Sequence, residues 1–383
     1  MRKEDLMRRR KRVIISIVLL VLCFQVTFAE DLLTPTLKNN AKFNIGYTEA
    51  IHYSSYAAHF YGILVGLQEM GWINSLEGLP YESGGDNSDE MWQWLVKNQP
   101  SDYLNFVSEA YYSFDGNADI KLSASDRVKT GTELDLMLVM GTSAGRAVTE
   151  VAPDIPVLVF STSNAIASEI IESDTDSGKD NVWAHVDTKR YRKQVAVLHD
   201  IFQFETLGIV YEDSLTGRSY ADLDNVRAIC EELGVTLVER NVTENTNSDE
   251  YPRYRDDMAS AFEDIADDVD AFYLTASNLA AADLPGLFEP FYQGQVPVFS
   301  QLGGEEVETG AIMSTAANYI DIGRYGAQIV SKSLHGENPR YLYATYEDIP
   351  LIVLNINNAR KIGYEPDFEI LLIADKLYFD PEK

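Results

Sequence analysis

Cysteine is nearly absent from this chain: its 383 residues contain two, Cys23 and Cys230. Cys23 falls in an expected leader, so one thiol remains. No intramolecular disulfide is then possible, and the fold must rest on its core. Histidine is scarce as well, with five residues. His52 and His59 lie seven apart, without a nearby cysteine or a His-Glu-x-x-His arrangement, so neither a metal site nor a cofactor is expected. Basic residues number 31 against 60 acidic ones, for a formal net charge of -29. Such a surface repels phosphate backbones and anionic headgroups, which argues against nucleic-acid binding. Long apolar runs are missing except for one, from Val13 to Phe24, broken by Ser16. It is shorter than the roughly 20 residues a membrane-spanning helix needs.

That run follows a basic start formed by Arg2, Lys3, Arg8, Arg9, Arg10, Lys11 and Arg12. Thr27 and Ala29 then place small residues where a signal peptidase requires them. Residues 1–29 therefore read as a signal peptide, with Glu30 as the mature N-terminus. The alternative is an uncleaved membrane anchor. Leu22 precedes Cys23, where a lipoprotein signal would need a small residue, so no lipid anchor is expected.

With 45% hydrophobic residues, the length suffices for about two domains. Short apolar segments alternate with helical periodicity. Residues 43–48, 104–114, 134–140 and 155–160 read as strands, with helices at 56–70 and from about 145. The series restarts near Trp183. Strands are expected at 205–211, 235–239, 271–274 and 296–300, and helices at 218–233, 254–266 and 279–288. This spacing predicts an α/β protein with two doubly wound parallel-sheet lobes. The stretch 74–103 interrupts it with an aromatic segment, Met91-Trp92-Gln93-Trp94-Leu95. Its spacing fits a helix capping its own lobe; a partner-docking patch is the alternative.

Gly141-Thr142-Ser143-Ala144-Gly145 fits the G-x-S-x-G pattern between a strand and a helix, where a nucleophilic serine is held in hydrolases. It also resembles the Gly-Thr-Ser-Ala-Gly of patatin-like lipases. The Gly-rich oxyanion loop and Asp-Gly dyad of those enzymes have no counterpart, and His199 and His335 lie in no recognisable catalytic context. The same loop can also hold an anion at a helix N-terminus through Thr142 and Ser143 without attacking it. Further polar loops follow other strands: Ser161 to Asn164, Glu212 to Ser214, Thr275 to Asn278, and Ser300-Gln301. Their recurrence at strand ends in both halves describes a cleft that closes on a small molecule.

From residue 43 to 378 the chain resembles the solute-binding proteins of ABC importers, in the branch related to tryptophan- and tyrosine-type receptors. The likeness is carried by Ile45-Gly46-Tyr47-Thr48 with His52, by 134–147, 155–161, 207–211, 228–239, 270–274 and 296–300, and by 318–326 and 354–364. The resemblance implies a type I periplasmic binding fold whose lobes are joined by a three-crossing hinge. The lobes would comprise 41–186 with 303–338, and 187–302 with 339–383. It implies ligand contacts from Thr48, Glu49, His52, Thr142, Ser143, Thr162, Ser163 and Asn164, and from Asp213, Ser214, Ser277, Asn278 and Gln301. The family often has an acid where this chain has Asn164, Asn278 and Gln301, which leaves Glu49 or Asp213 to hold a ligand's ammonium. Tyr47, Tyr53 and Tyr56 near the first loop would suit an aromatic ligand. The implied role is that of a non-enzymatic, monomeric periplasmic receptor, delivering a small polar or aromatic molecule to an ABC permease with its ATPase. The alternatives are a ligand-binding partner of a membrane sensor, and a serine hydrolase acting through Ser143.

Overall fold

The computed structural model describes residues 32–129, 133–245 and 248–379; the expected leader, with its cleavage point after Ala29, lies outside the described residues. The first lobe holds β1 (Phe43–Glu49), α1 (Ser54–Glu69), α2 (Ser88–Asn98), β2 (Leu104–Ser113) and α3 (Ala118–Lys129). It continues through β3 (Leu136–Met140), α4 (Thr142–Thr149), β4 (Val157–Phe160) and β5 (Val182–Ala184). The five strands pair in the order β2-β1-β3-β4-β5, all parallel. Every residue of β3 and β4 is buried. Strands covered by helices on both faces read as continuous apolar runs, which is why Leu-Met-Leu-Val-Met stood out in the sequence.

The second lobe contains α5 (Arg190–Phe202), β6 (Thr206–Glu212), α6 (Leu215–Tyr220), α7 (Leu223–Leu233), β7 (Thr236–Val242), α8 (Tyr251–Ala266) and β8 (Ala271–Leu274). After these come α9 (Leu284–Leu287), α10 (Glu289–Gln293), β9 (Val298–Ser300), α11 (Glu305–Thr309) and β10 (Met313–Ala316). The chain then returns to the first lobe as α12 (Tyr319–Leu334) and ends in the second with β11 (Leu351–Asn355), α13 (Ile356–Lys361), α14 (Phe368–Ile373) and β12 (Lys376–Tyr378). The sheet order is β12-β11-β10-β9-β8-β6-β7. All its pairings are parallel except β10 with β11. Two parallel-sheet α/β lobes were expected; the one antiparallel pair was not.

The chain passes between the two cores three times, after Val186, after Ala316 and after Ala344. The expected boundaries at 302/303 and 338/339 are corrected by this packing. Val307, Ile312 and Met313 are buried in the second core, and β10 hydrogen-bonds β9 and β11. Conversely, Ala344 is buried in the first core, and Trp183 Nε1 donates to the Tyr343 carbonyl at 3.2 Å. The expected helix 218–233 is broken at Asp222, whose φ is +46°. Its carboxylate accepts hydrogen bonds from the side chains of Asn164 and Asn225, a local alternative to continuing the helix.

α12 lies against α1 at backbone contact. A Cβ at Gly62 would collide with the Ile320 backbone, and one at Gly323 with the His59 carbonyl. This close packing fixes the start of α12 beside the first lobe's strand ends. α2 caps its own lobe: Met91, Trp92 and Leu95 are buried, and the Trp92 ring packs among Tyr47, Phe60, Phe106 and Tyr111. No helix among the described residues is long and apolar enough to cross a membrane.

Candidate ligand-binding site

At the carboxyl ends of the strands, a cavity of about 110 Å³ lies between the lobes. The first lobe lines it with Ile51, Tyr53, Ser55, Tyr56, Thr142 and Ser161 to Ser163, the second with Arg190, Tyr191, Tyr220, Ala276 to Asn278 and Leu302. Tyr319, at the second crossing, completes the wall. A wider cleft of about 660 Å³ adjoins it, sharing Tyr53, Ser277, Asn278 and Tyr319 and continuing past Glu306 to Leu351 and Lys376. The lobes also touch beside the cavity. Asn164 Nδ2 donates to Asp222 at 2.7 Å, and Arg146 donates to Thr216 at 3.3 Å.

Arg190 is the charged group of this cavity. Its side chain is 12% exposed, and its Nε and Nη2 have no hydrogen-bond partner among the described residues. Asp187 and Asp348 lie 3.9 and 3.8 Å away, too far for hydrogen bonds but close enough to balance charge. Burial opposes the guanidinium's charge, and Tyr191, Asp348, Tyr319 and Asp187 together outweigh it. The position follows from the topology. Asp187 lies on the first crossing and Asp348 on the third, and Asp348 accepts from the backbone of Asn318 on the second. Arg190 opens α5 directly after the first crossing, so it stands where the three meet. Buried guanidinium donors left unpaired are costly, and a carboxylate fits their planar fork.

The hydroxyls around Arg190 are also open to a ligand. Thr162 Oγ1 is buried without a partner among the described residues. Tyr191 and Ser163 line the cavity from opposite lobes. Tyr56 sits against the 141–145 loop because Gly141, with φ +90°, has no Cβ to exclude its ring. Burial raises the pKa of Tyr56 far above the ordinary value and that of Tyr220 to about 12, so both remain protonated donors at neutral pH.

Of the residues anticipated from sequence, Thr142, Thr162, Ser163, Ser277 and Asn278 line the cavity. Thr48 is fully buried behind it. Glu49 is fully buried too, accepting from Tyr47 at 2.8 Å and Tyr111 at 2.6 Å, with His52 Nδ1 3.0 Å from its carboxylate. Burial raises its pKa, although those three partners favour the anion. His52 is exposed, between Glu49 and Asp115. Ser143 is exposed on α4 and lines neither the cavity nor the cleft, so the motif's serine is not where a ligand would meet it. Gly145 is explained by packing, since a Cβ there would meet Val159 and Ile170. Asn164 bridges the lobes through Asp222. Asp213 pairs with Arg218 at the surface, and Ser214 caps α6 by accepting from Gly217 at 2.8 Å. Gln301 is buried between the Ala276 amide and the Tyr220 carbonyl.

The sequence reading missed Arg190, Tyr191, Tyr220 and Tyr319. One signal pointed to Arg190: Lys189 and Arg190 form a basic pair in an acidic chain, immediately after the expected crossing at 186/187. The acid of the cleft was missed as well. Glu306 is half-buried and accepts from Ser300; burial raises its pKa from the ordinary 4.5 to about 7. Among the described residues, no cluster of three or more His, Cys, Asp or Glu could hold a metal ion.

The family model described as ABC transporter substrate binding protein matches residues 102–377. No curated protein matches the sequence. Among solved structures, the chain is similar to a conserved domain protein of Vibrio cholerae, with 21% identity, 88% of this chain and 99% of that one covered, and a TM-score of 0.64. It is similar to an ABC domain from Streptococcus pneumoniae in complex with L-Trp, with 18% identity, coverages of 87% and 99%, and a TM-score of 0.63. A ligand-free, open substrate-binding protein with adhesive properties from Clostridium difficile is similar at 18% identity, coverages of 88% and 100%, and a TM-score of 0.63. At these identities the likeness speaks for the fold.

Proposed function

Because the chain belongs to the family of ABC transporter substrate-binding proteins, we propose that its inter-lobe cavity captures a small carboxylate with an aromatic or otherwise apolar body. The observation that carries this reading is the nearly buried Arg190, whose Nε and Nη2 face Asp187 and Asp348 at 3.9 and 3.8 Å but make no hydrogen bond among the described residues. Its fork takes the carboxylate, with hydroxyls of Thr142, Thr162 and Ser163 alongside. The rings of Tyr53, Tyr56, Tyr191 and Tyr319 pack on the body, which extends into the wider cleft. L-Trp, bound by the pneumococcal relative, has this chemistry.

Both lobes line the cavity, so a bound ligand favours the closed arrangement and shifts an open–closed equilibrium. Rotation is taken up at the three crossings. No covalent step is required, and the protein acts as a receptor rather than an enzyme. It works outside the cytoplasm as a monomer after loss of residues 1–29, and hands its ligand to a membrane permease driven by its ATPase.

Calorimetric titration with L-tryptophan, L-tyrosine, phenylacetate and benzoate tests the reading. At least one should bind to the wild type, and Arg190→Gln should weaken it more than 100-fold. Failure of all four to bind, or equal affinity in the variant, would overturn it.

A further inference from the structure

Ser161 ends β4 with a φ of +53°. For an L-residue other than glycine, this left-handed backbone is strained by the closeness of Cβ to the following carbonyl. Its hydroxyl oxygen lies 2.9 Å from Nδ1 of His59, its one hydrogen-bond partner among the described residues. His59 is fully buried on α1, among the rings of Phe160, His185 and Tyr319, and its Nε2 has no partner among the described residues. Burial above all, then the nearness of His185 and Arg190, keeps its imidazole neutral.

A neutral imidazole carries one N–H and one lone pair. With the proton on Nε2, a donor would be stranded among aromatic rings. With the proton on Nδ1, only a lone pair is stranded. Orphaned buried N–H groups are the rarer of the two in folded proteins. Placing the proton on Nδ1, so that it donates to Ser161, leaves the serine's own hydroxyl hydrogen without an acceptor among the described residues. Ser161 borders the cavity together with Arg190.

We propose that Ser161 is a ligand-positioning donor: His59 pins its oxygen from behind, and its hydroxyl hydrogen is presented to an acceptor of the ligand held by Arg190. The inference rests on the cavity being the ligand site. The same polarity excludes Ser161 as a nucleophile activated by His59, because Nδ1 already carries a proton and cannot accept the serine's.

Two substitutions and one spectroscopic measurement test this. Ser161→Gly removes the hydroxyl and relieves the left-handed strain. Because it also leaves the buried His59 Nδ1–H without its partner, it should keep the thermal midpoint of the ligand-free protein above that of Ser161→Ala rather than above the wild type, while weakening binding of L-tryptophan, or of whichever of the four carboxylates binds the wild type, about tenfold. Ser161→Ala should weaken binding equally without the relief of backbone strain. Long-range ¹H–¹⁵N correlation should place the His59 proton on Nδ1. Unchanged affinity in both serine variants, with Arg190→Gln still defective, would overturn this inference alone; a proton on Nε2 would do the same. If Arg190→Gln also binds normally, the cleft reading itself fails.

Discussion

The two lobes share an architecture and use their strand ends in opposite ways. In the first, the loops after β3 and β4 face the cavity directly, through Thr142, Ser161, Thr162 and Ser163. In the second, most polar residues after the strands are already engaged within the protein. Asp213 is paired with Arg218, Ser214 caps a helix, and Gln301 joins a backbone amide to a carbonyl. Beside Tyr220 and the 276–278 loop, the second lobe reaches the cavity with Arg190 and Tyr191 from the helix that follows a crossing. Both lobes also end their first-numbered strand in a buried glutamate held by tyrosine hydroxyls: Glu49 by Tyr47 and Tyr111, and Glu212 by Tyr254 at 2.7 Å. A carboxylate at a strand end is therefore no sign of a ligand contact here. What marks the candidate site is that groups lacking hydrogen-bond partners among the described residues, on Arg190 and Thr162, converge on one inter-lobe cavity.

The largest test of this contrast is Arg190→Gln. It should cost more than 100-fold in affinity for an aromatic carboxylate, about 2.7 kcal/mol or more, while Asp213→Asn on the same lobe should leave titrations unchanged. Equal losses in both variants would erase the distinction between open and engaged strand ends.

The paired glutamates come next. Tyr254→Phe removes a hydrogen bond to a buried carboxyl and should lower unfolding free energy in urea by about 2 kcal/mol. Tyr111→Phe should behave likewise in the first lobe, and neither should change affinity more than a few-fold. Lost binding at full stability would make Glu212 part of the site.

Glu306 sharpens the comparison through pH. Its folded pKa, raised chiefly by burial from 4.5 to about 7, exceeds its unfolded value. Below 4.5 both states are protonated and it contributes no penalty. Between 4.5 and 7 the unfolded chain ionises first, so stability falls as pH rises; above 7 the full penalty is present. Wild type and Glu306→Gln should therefore diverge in thermal midpoint across that window, the glutamine variant losing less. Parallel curves would sink the assignment.

The smallest effect belongs to Ser143→Ala. As an exposed residue outside the cavity, it should change stability by at most about 0.5 kcal/mol and leave affinity unchanged. A tenfold loss of affinity would return the 141–145 loop to the role its motif suggested.

Much of the fold was legible because burial leaves a local trace. Strands covered on both faces, such as 136–140 and 157–160, read as unbroken apolar runs, and the restart near Trp183 marked the first crossing. The later crossings were misplaced because β10, only four residues long, is sorted into its lobe by pairing with β9 and β11, not by its own composition. The break at Asp222 depends on Asn164, 58 positions earlier. Thr142, Thr162, Ser163, Ser277 and Asn278, which line the cavity, were anticipated by the rule that open α/β sheets bind ligands at carboxyl strand ends.

Composition and periodicity alone therefore determined an acidic α/β protein with two largely parallel sheets and hydroxyl-rich loops at their strand ends. Those are properties of segments a few residues long. Which polar groups remain open to a ligand was decided only by tertiary structure, because the buried ones around the cavity are satisfied or left without hydrogen bonds by residues distant in sequence. Tyr254 and Asn278 engage Glu212, His59 pins Ser161, and three crossings converge on Arg190 without giving its Nε and Nη2 a hydrogen bond.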